Sequence, residues 1–329
     1  MTETDLVVRR ASIDDFPGIV ELARRALGWS DDDAAFLSWK HLDNPYGVSP
    51  MWVALDGARI AGFRTFMRWE FRFPGGDVVR AVRAVDTATD PDYQGRGIFT
   101  RLTLQGIDEL AAEGVKLVFN TPNDKSLPGY LKMGWAELGR LPAAVMPTRL
   151  RFFRVLHTAR TAAGRWPVPT ELGDAAPDAF ADRAVLDAVG DLLATQPAAQ
   201  GIVTRRTPEL FAWRYGFPPL GYRVLALPTG LADGFAVIRR RQRGDAIECV
   251  LCDTVVPGGD ERLAGRLVRD IRARAECDYI IRLDHRRLAT GPFVRLPRIG
   301  PVLACRPLDG SPPPALERWQ LSMGDVELF

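Results

Sequence analysis

Apolar and polar positions along the chain sort into short elements of changing period. Val7-Val8 followed by Arg9-Arg10 predicts a first strand, and Ser12 caps a helix running toward Leu27. Asp32 to Ser38 predicts a second helix, with Trp39-Lys40-His41 and Asn44-Pro45 after it. Asp86 to Thr89 close a strand, Asp90-Pro91-Asp92 turn the chain, and Gln94-Gly95-Arg96-Gly97 make a cationic glycine loop. From Ile98 the apolar residues Leu102, Leu104, Ile107, Leu110 and Ala111 recur at helical spacing. Val115 to Phe119 then offers the short apolar run of a buried parallel strand. A strand, a glycine loop and a helix N-terminus in this order suit a phosphate anion. The first amides of the helix are free, its dipole is positive there, and glycine admits close approach. The plain alternative is a tight strand-to-helix turn.

The second half echoes the first in order. Phe36-Leu-Ser-Trp39-Lys40-His41 returns as Leu210-Phe-Ala-Trp213-Arg214-Tyr215, and Asn44-Pro45-Tyr46-Gly47 as Pro218-Pro219-Leu220-Gly221. Gly62-Phe63 corresponds to Gly234-Phe235, and Val85-Asp86-Thr87 to Cys252-Asp253-Thr254. Leu117-Val118-Phe119 pairs with Tyr279-Ile280-Ile281, and Tyr130-Leu131-Lys132-Met133 with Phe293-Val294-Arg295-Leu296. Asp260 and Glu261 stand where the first copy has Gln94 and Arg96, and carboxylates there would repel a pyrophosphate. Phe293, in the place of Tyr130, has no hydroxyl proton. The expected division is a first domain over 1–147, a basic helix and Pro/Gly linker over 148–177, and a worn copy over 178–329 that shapes the structure or the substrate site. The basic helix is Arg149 to Arg160, and the linker is Gly164 to Pro169 with Gly173 to Pro177.

Composition narrows the field. The 329 residues suffice for two domains with separate cores, and 47% hydrophobic with 26% charged residues is the balance of an ordinary globular protein. A net charge of +2 implies neither nucleic acid nor a polyacidic partner. No apolar stretch is long enough to span a bilayer, and the N-terminus lacks a signal peptide's basic and apolar regions, so a cytoplasmic protein is expected. Cys249, Cys252, Cys277 and Cys305 supply one isolated Cys-x-x-Cys with no second pair, so no metal site is expected and buried free thiols are.

The glycine loop lacks the Gly-Lys-Ser/Thr of a Walker loop and the three glycines of a dinucleotide loop. It resembles the acetyl-CoA loop of the GNAT acetyltransferase superfamily, Gln/Arg-x-x-Gly-x-Gly/Ala, with Gln94 and Gly97 in the first two fixed positions and Phe99 departing at the third. Such a side chain must turn into the core, or the pyrophosphate must shift. Asn123, Tyr130, Gly134 and Trp135 resemble a later segment of the same family, and the likeness runs in order over residues 5 to 145.

The resemblance implies an α/β fold, here two tandem units, each a twisted mixed sheet flanked by helices. It implies transfer of an acetyl group from acetyl-CoA to a primary amine by direct attack in a ternary complex, with no metal. The implied acetyl-CoA contacts are Thr87, Ala88, Thr89, Gln94, Gly95, Arg96, Gly97, Ile98, Phe99, Thr100, Asn123 and Ser126. Tyr130 matches the family's proton donor to the leaving thiolate, and an ordinary tyrosine pKa of about 10 keeps it protonated at neutral pH. Asp86 is the candidate base, although Asp253 in the worn copy supports an equal reading in which Asp86 holds the strand. Trp39, His41 and Asn44 lie where such proteins form the acceptor wall, and similar stretches in bacterial surface-sugar and secondary-metabolite enzymes suggest an amino sugar or small polar amine. The partner is then a small-molecule amine, with no nucleic acid and no membrane, and the chain is a monomer or homodimer. The alternatives are a CoA-binding scaffold without turnover and a tandem-GNAT aminoacyl transferase with another donor.

Overall fold

Pairing of short apolar strands from distant parts of the chain builds two mixed sheets. The computed structural model describes residues 6–28, 33–150, 152, 161–284, 292–296 and 299–326. These fall into two units, one of Met1–Phe71, Asp77–Gly139 and Val302–Pro314, the other of Arg72–Gly76, Arg140–Pro301 and Ala315–Phe329. In chain order the first contains β1 (Val7–Arg10), α1 (Phe16–Leu27), α2 (Asp33–Leu42), β2 (Met51–Asp56), β3 (Arg59–Arg72) and β4 (Val78–Thr89). It continues with α3 (Ile98–Ala112), β5 (Leu117–Asn120), α4 (Leu127–Lys132) and β6 (Ala136–Arg140). The second contains β7 (Ala143–Pro147), β8 (Ala163–Pro167), β9 (Asp174–Ala175), β10 (Val203–Thr204), β11 (Arg223–Leu227) and β12 (Gly230–Arg243). After β13 (Ala246–Val255), β14 (Tyr279–Leu283) and β15 (Val294–Arg295), the chain returns to the first unit as β16 (Val302–Pro307).

The two sheets follow one plan. The first runs β1-β2-β3-β4-β5-β16-β6 and the second β9-β11-β12-β13-β14-β7-β15. Each has one central parallel pair, β4 with β5 and β13 with β14, flanked by antiparallel neighbours. The α/β class and the two mixed sheets are as expected. The expected boundaries differ from these units, because β16 completes the first sheet and β7 the second. The Pro/Gly segment is also no linker: β8 pairs with β12 and β9 with β11, which satisfies the backbone groups of both. Of the expected basic helix, 151 and 153–160 lie outside the described residues. The echo of Tyr130-Leu131-Lys132-Met133 does not hold in structure, since α4 is a helix and Val294–Arg295 a strand.

The core of the first unit explains how α3 lies so close to the sheet. Ile98, Leu102, Ile107 and Leu110 pack on Trp52, Phe66, Val82 and Val118. Gly106 makes the approach feasible, because a Cβ there would fall 2.7 Å from the Phe66 ring and 3.0 Å from Trp52. In the second unit Leu267, Val268 and Ile271 of the helix Glu261–Arg274 pack on Ile238, Cys249 and Ile280. All four cysteines are free and buried. Among the described residues, no helix is long and apolar enough to cross a membrane.

Candidate active site

The parallel pair of the first unit opens as it runs. Ala81, Val82 and Arg83 of β4 pair with Leu117, Val118 and Phe119 of β5, and the register stops there. Asp86 takes φ +36°, in the left-handed region that a non-glycine residue occupies at a cost of about 1–3 kcal/mol. Thr65 Oγ1 on β3 holds the kink by donating to the carbonyls of Val85 and Asp86, at 2.8 and 3.0 Å. Beyond it, Thr87 Oγ1 donates to the Phe63 carbonyl at 2.8 Å, Ala88 is buried and Thr89 is half-buried.

The glycine loop follows. Gly97 sits at the N-cap of α3 with φ +70°, and Gly95 has φ +79°. A Cβ on either would meet nothing within 4 Å, so both leave open space above the helix start. No side chain caps α3, and the first turn closes only with the Arg101 amide on the Gly97 carbonyl, at 3.0 Å. The amides of the first turn therefore have no helical acceptor. Gln94 and Arg96 are exposed in the loop and Thr100 is exposed beside it, while Ile98 is buried in the core. The Arg96 guanidinium lies 4.9 Å from the Tyr93 ring centre, which keeps a cation at the loop. Cradle and charge fit a pyrophosphate.

Phe99 turns inward. Its ring stands edge-on to Tyr130 with centroids 5.7 Å apart, so the departure from the glycine-rich pattern fills the core and leaves the cradle clear. Tyr130 is buried on α4, with its ring 5.2 Å from that of Trp135. Its hydroxyl oxygen accepts from Arg64 Nη2 at 2.8 Å. Asn123 is exposed, and its Oδ1 accepts the amides of Lys125 and Ser126 at 3.1 and 3.0 Å, shaping the turn into α4. Ser126 Oγ donates back to the Asn123 carbonyl at 3.3 Å.

The three acceptor-wall candidates lie inside. Trp39, Lys40 and His41 belong to α2 itself, which extends past the expected end at Ser38. Trp39 packs on Phe36 with ring centroids 5.7 Å apart. Asn44 holds a turn by donating to the Arg68 carbonyl at 2.8 Å and accepting the Tyr46 amide at 2.9 Å. Trp39, His41 and Asn44 are all buried.

Asp86 has the partners that the strand-holding reading calls for. Its Oδ2 lies 2.7 Å from Lys40 Nζ and 2.8 Å from His41 Nε2, with Lys40 and His41 both fully buried. Burial by itself would raise the pKa of Asp86, but the Lys40 charge and the His41 hydrogen bond outweigh it and hold the carboxyl well below the usual range. A carboxylate so poised is a poor base, and Asp86 anchors α2 to β4. Because an ionised carboxylate only accepts, His41 donates from Nε2 and receives the Ser49 hydroxyl at Nδ1, at 3.0 Å.

His41 also sets a pH dependence. Burial drives its pKa below the ordinary 6.5, against the pull of Asp86, so the folded form keeps it neutral. Below pH 6.5 the unfolded chain binds a proton that the folded chain refuses, and stability falls with pH. The decline from this one group approaches ~1.4 kcal/mol per pH unit. His41→Gln is expected to flatten the fall of denaturant midpoints as the pH drops below 6.5. Identical slopes for both proteins would refute the assignment.

The second unit holds a matching anchor. Asp253 accepts from Arg206 at 2.5 Å and from the Tyr215 hydroxyl, as Asp86 accepts from Lys40 and His41. Here β13 and β14 part after Val250 and Ile281, and a cavity of about 530 Å³ is lined by Leu193, Leu251, Asp253, Val255 and Arg206, among others. Its helix start is closed: Asp260 Oδ1 accepts the Arg262 and Leu263 amides at 2.7 and 3.3 Å.

Residues 7–138 match the sequence model described as "Acetyltransferase (GNAT) domain". The match to a GNAT acetyltransferase domain covers less than half of the chain. The match supports an acyltransferase, and the family it describes draws on acetyl-CoA. The fold of both units is similar to that of a GCN5-related N-acetyltransferase from Anabaena variabilis, with TM-score 0.60 and 14% identity, covering 92% of this chain and 73% of that one. It is similar to a probable N-acyltransferase from Enterococcus faecalis, with TM-score 0.63 and 12% identity over 93% of this chain and 73% of that one. It is also similar to Eis1 from Mycobacterium abscessus, with TM-score 0.59 and 17% identity over 92% and 74%. At these identities the likeness is one of fold. No curated protein matches the sequence.

Arg64 carried no weight in the sequence reading. The signal was available: a charged residue on β3 that alternation places on the same face as Gly62 and Phe66.

Proposed function

We propose that the first unit moves an acetyl group from acetyl-CoA to a primary amine of a small molecule, an amino sugar or a secondary-metabolite intermediate. One observation carries the reading: Phe99, in the first turn of α3, spans from the amide cradle to Tyr130, with ring centroids 5.7 Å apart. An anion site and a proton donor thus lie one aromatic ring apart. The first-turn amides, with Gly95, Gly97 and Arg96, hold the pyrophosphate, and the edge of β4 at Thr87 to Thr89 runs along the opening of the sheet.

Chemistry follows from those positions. The amine lone pair attacks the thioester carbonyl, the C–S bond breaks, and Tyr130 gives its hydroxyl proton to the departing sulfur. Asp86 takes no proton: the amine attacks in its neutral form, the proton its nitrogen sheds on becoming the amide passes to water, and water returns a proton to the Tyr130 oxygen. The second unit is a worn copy without donor chemistry. Asp260 occupies the amides that a pyrophosphate would need.

Calorimetric titration with acetyl-CoA tests the binding half, with one site per chain expected. Tyr130→Phe should keep that site and lower turnover at least ~10-fold. Two sites would revive the second unit, and turnover unchanged in the variant would remove the proton-donor role.

A further inference from the structure

Arg64 is the least ordinary charge in the first unit. It sits in the middle of β3, and no part of it is exposed. Among the described residues no carboxylate pairs with it. Nη2 donates to the Tyr130 oxygen at 2.8 Å, while Nε and Nη1 are buried without a hydrogen-bond partner. Aromatic rings surround it instead, Phe66 at 5.0 Å, Tyr130 at 5.4 Å and Phe99 at 5.5 Å from the guanidinium carbon. Ring faces attract a cation but replace neither its water nor a counter-ion. For stability alone, a methionine or leucine would serve this place as well or better.

We infer that Arg64 is a positioning residue for the proton transfer from Tyr130. The inference rests on the proposed proton-donor role of that tyrosine. A guanidinium has donors only, so the phenol oxygen always accepts from Arg64 and its own proton points to another acceptor. The departing sulfur is that acceptor. As the O–H bond breaks and the S–H bond forms, negative charge develops on the phenol oxygen, 2.8 Å from a buried cation. Attraction between the two is small for the neutral phenol and large for the phenolate, and burial magnifies the difference. An interaction that grows along the reaction accelerates the chemical step. Phe99 places a third ring over the same guanidinium, so the departure from the glycine-rich loop serves this arrangement.

Arg64→Met tests it. With acetyl-CoA as the donor and one fixed amine, kcat is expected to fall about 10- to 100-fold. Affinity for acetyl-CoA by calorimetry stays within about 3-fold, because Arg64 lies behind the tyrosine and away from the cradle. In a Tyr130→Phe background, the same substitution should change kcat by less than about 2-fold, since Arg64 acts through the hydroxyl. Arg64→Lys, which keeps a buried donor and charge, should recover part of the lost kcat, and it serves for the cycle if the methionine variant does not fold. An equal loss of kcat in both backgrounds, with a lower melting midpoint, would make Arg64 a structural prop and overturn the inference. Unchanged kcat for Arg64→Met, where Tyr130→Phe is slow, would overturn it too and leave the tyrosine's role standing. If Tyr130→Phe itself is fully active, the proton-donor reading falls first.

Discussion

Asp86→Ala is expected to destabilise the first unit by about 3–5 kcal/mol, the loss typical of removing one partner from a buried ion pair. The Lys40 ammonium, fully buried and 5.5 Å from the Phe36 ring centre, would remain in the core without the carboxylate at 2.7 Å. His41 would lose its acceptor at the same time. The kink of β4 depends on this anchor, because Asp86 holds φ +36° in place through its side-chain partners and the Thr65 bonds. Urea unfolding read by tryptophan fluorescence measures the change, and a loss under about 1 kcal/mol would refute the buried-pair account. Asp86→Asn separates stability from chemistry. If it folds and its turnover falls more than ~100-fold with acetyl-CoA binding intact, Asp86 is the base after all.

Glu248→Ala should cost the second unit as much, about 3–5 kcal/mol. Glu248 lies on β13 with no exposed surface, and it ties three strands together. Arg241 on β12 donates through Nε and Nη2 at 3.0 and 2.6 Å, Arg243 through Nε at 2.7 Å, and the Tyr279 hydroxyl on β14 donates at 2.9 Å. Burial alone would raise the glutamate's pKa, but Arg241 and Arg243 outweigh it and keep the carboxyl below the usual range. Removing it leaves two guanidiniums beside one another and a phenol without its acceptor. In a unit of this size each kcal/mol lowers the melting midpoint by about 2–4 °C, so differential scanning calorimetry resolves the change easily. Glu248→Gln should lose less, since its amide oxygen still accepts one guanidinium. Equal losses for the two variants would mean that the charge decides here and that the retained shape and amide oxygen do not.

What the sequence by itself determined about this protein is local. The spacing of Ile98, Leu102, Ile107 and Leu110 forms a helix, and Gly95 and Gly97 alone tolerate the backbone of the loop before it. The short run Val115 to Phe119 reads as a buried strand, which spans Leu117–Asn120, and the order of these elements suggests an anion site at their junction. The repeated order of motifs likewise anticipated two sheets of one plan.

Tertiary structure decided which distant groups meet. β7 and β16 are short apolar runs, and nothing in such a run names its neighbour, so the place of β7 in the second sheet and of β16 in the first was not legible. Gly164 to Pro169 is rich in loop formers, yet the end of β12 that runs past β11 pairs with Ala163–Pro167 as a strand. His41 and Asp86 are 45 positions apart, and Arg64 and Tyr130 are 66 apart. A carboxylate beside an unseen lysine reads as a base, and an arginine among aromatics reads as an anomaly. Charge acquires its meaning from its nearest neighbours in a medium of low dielectric, and only the folded chain supplies those.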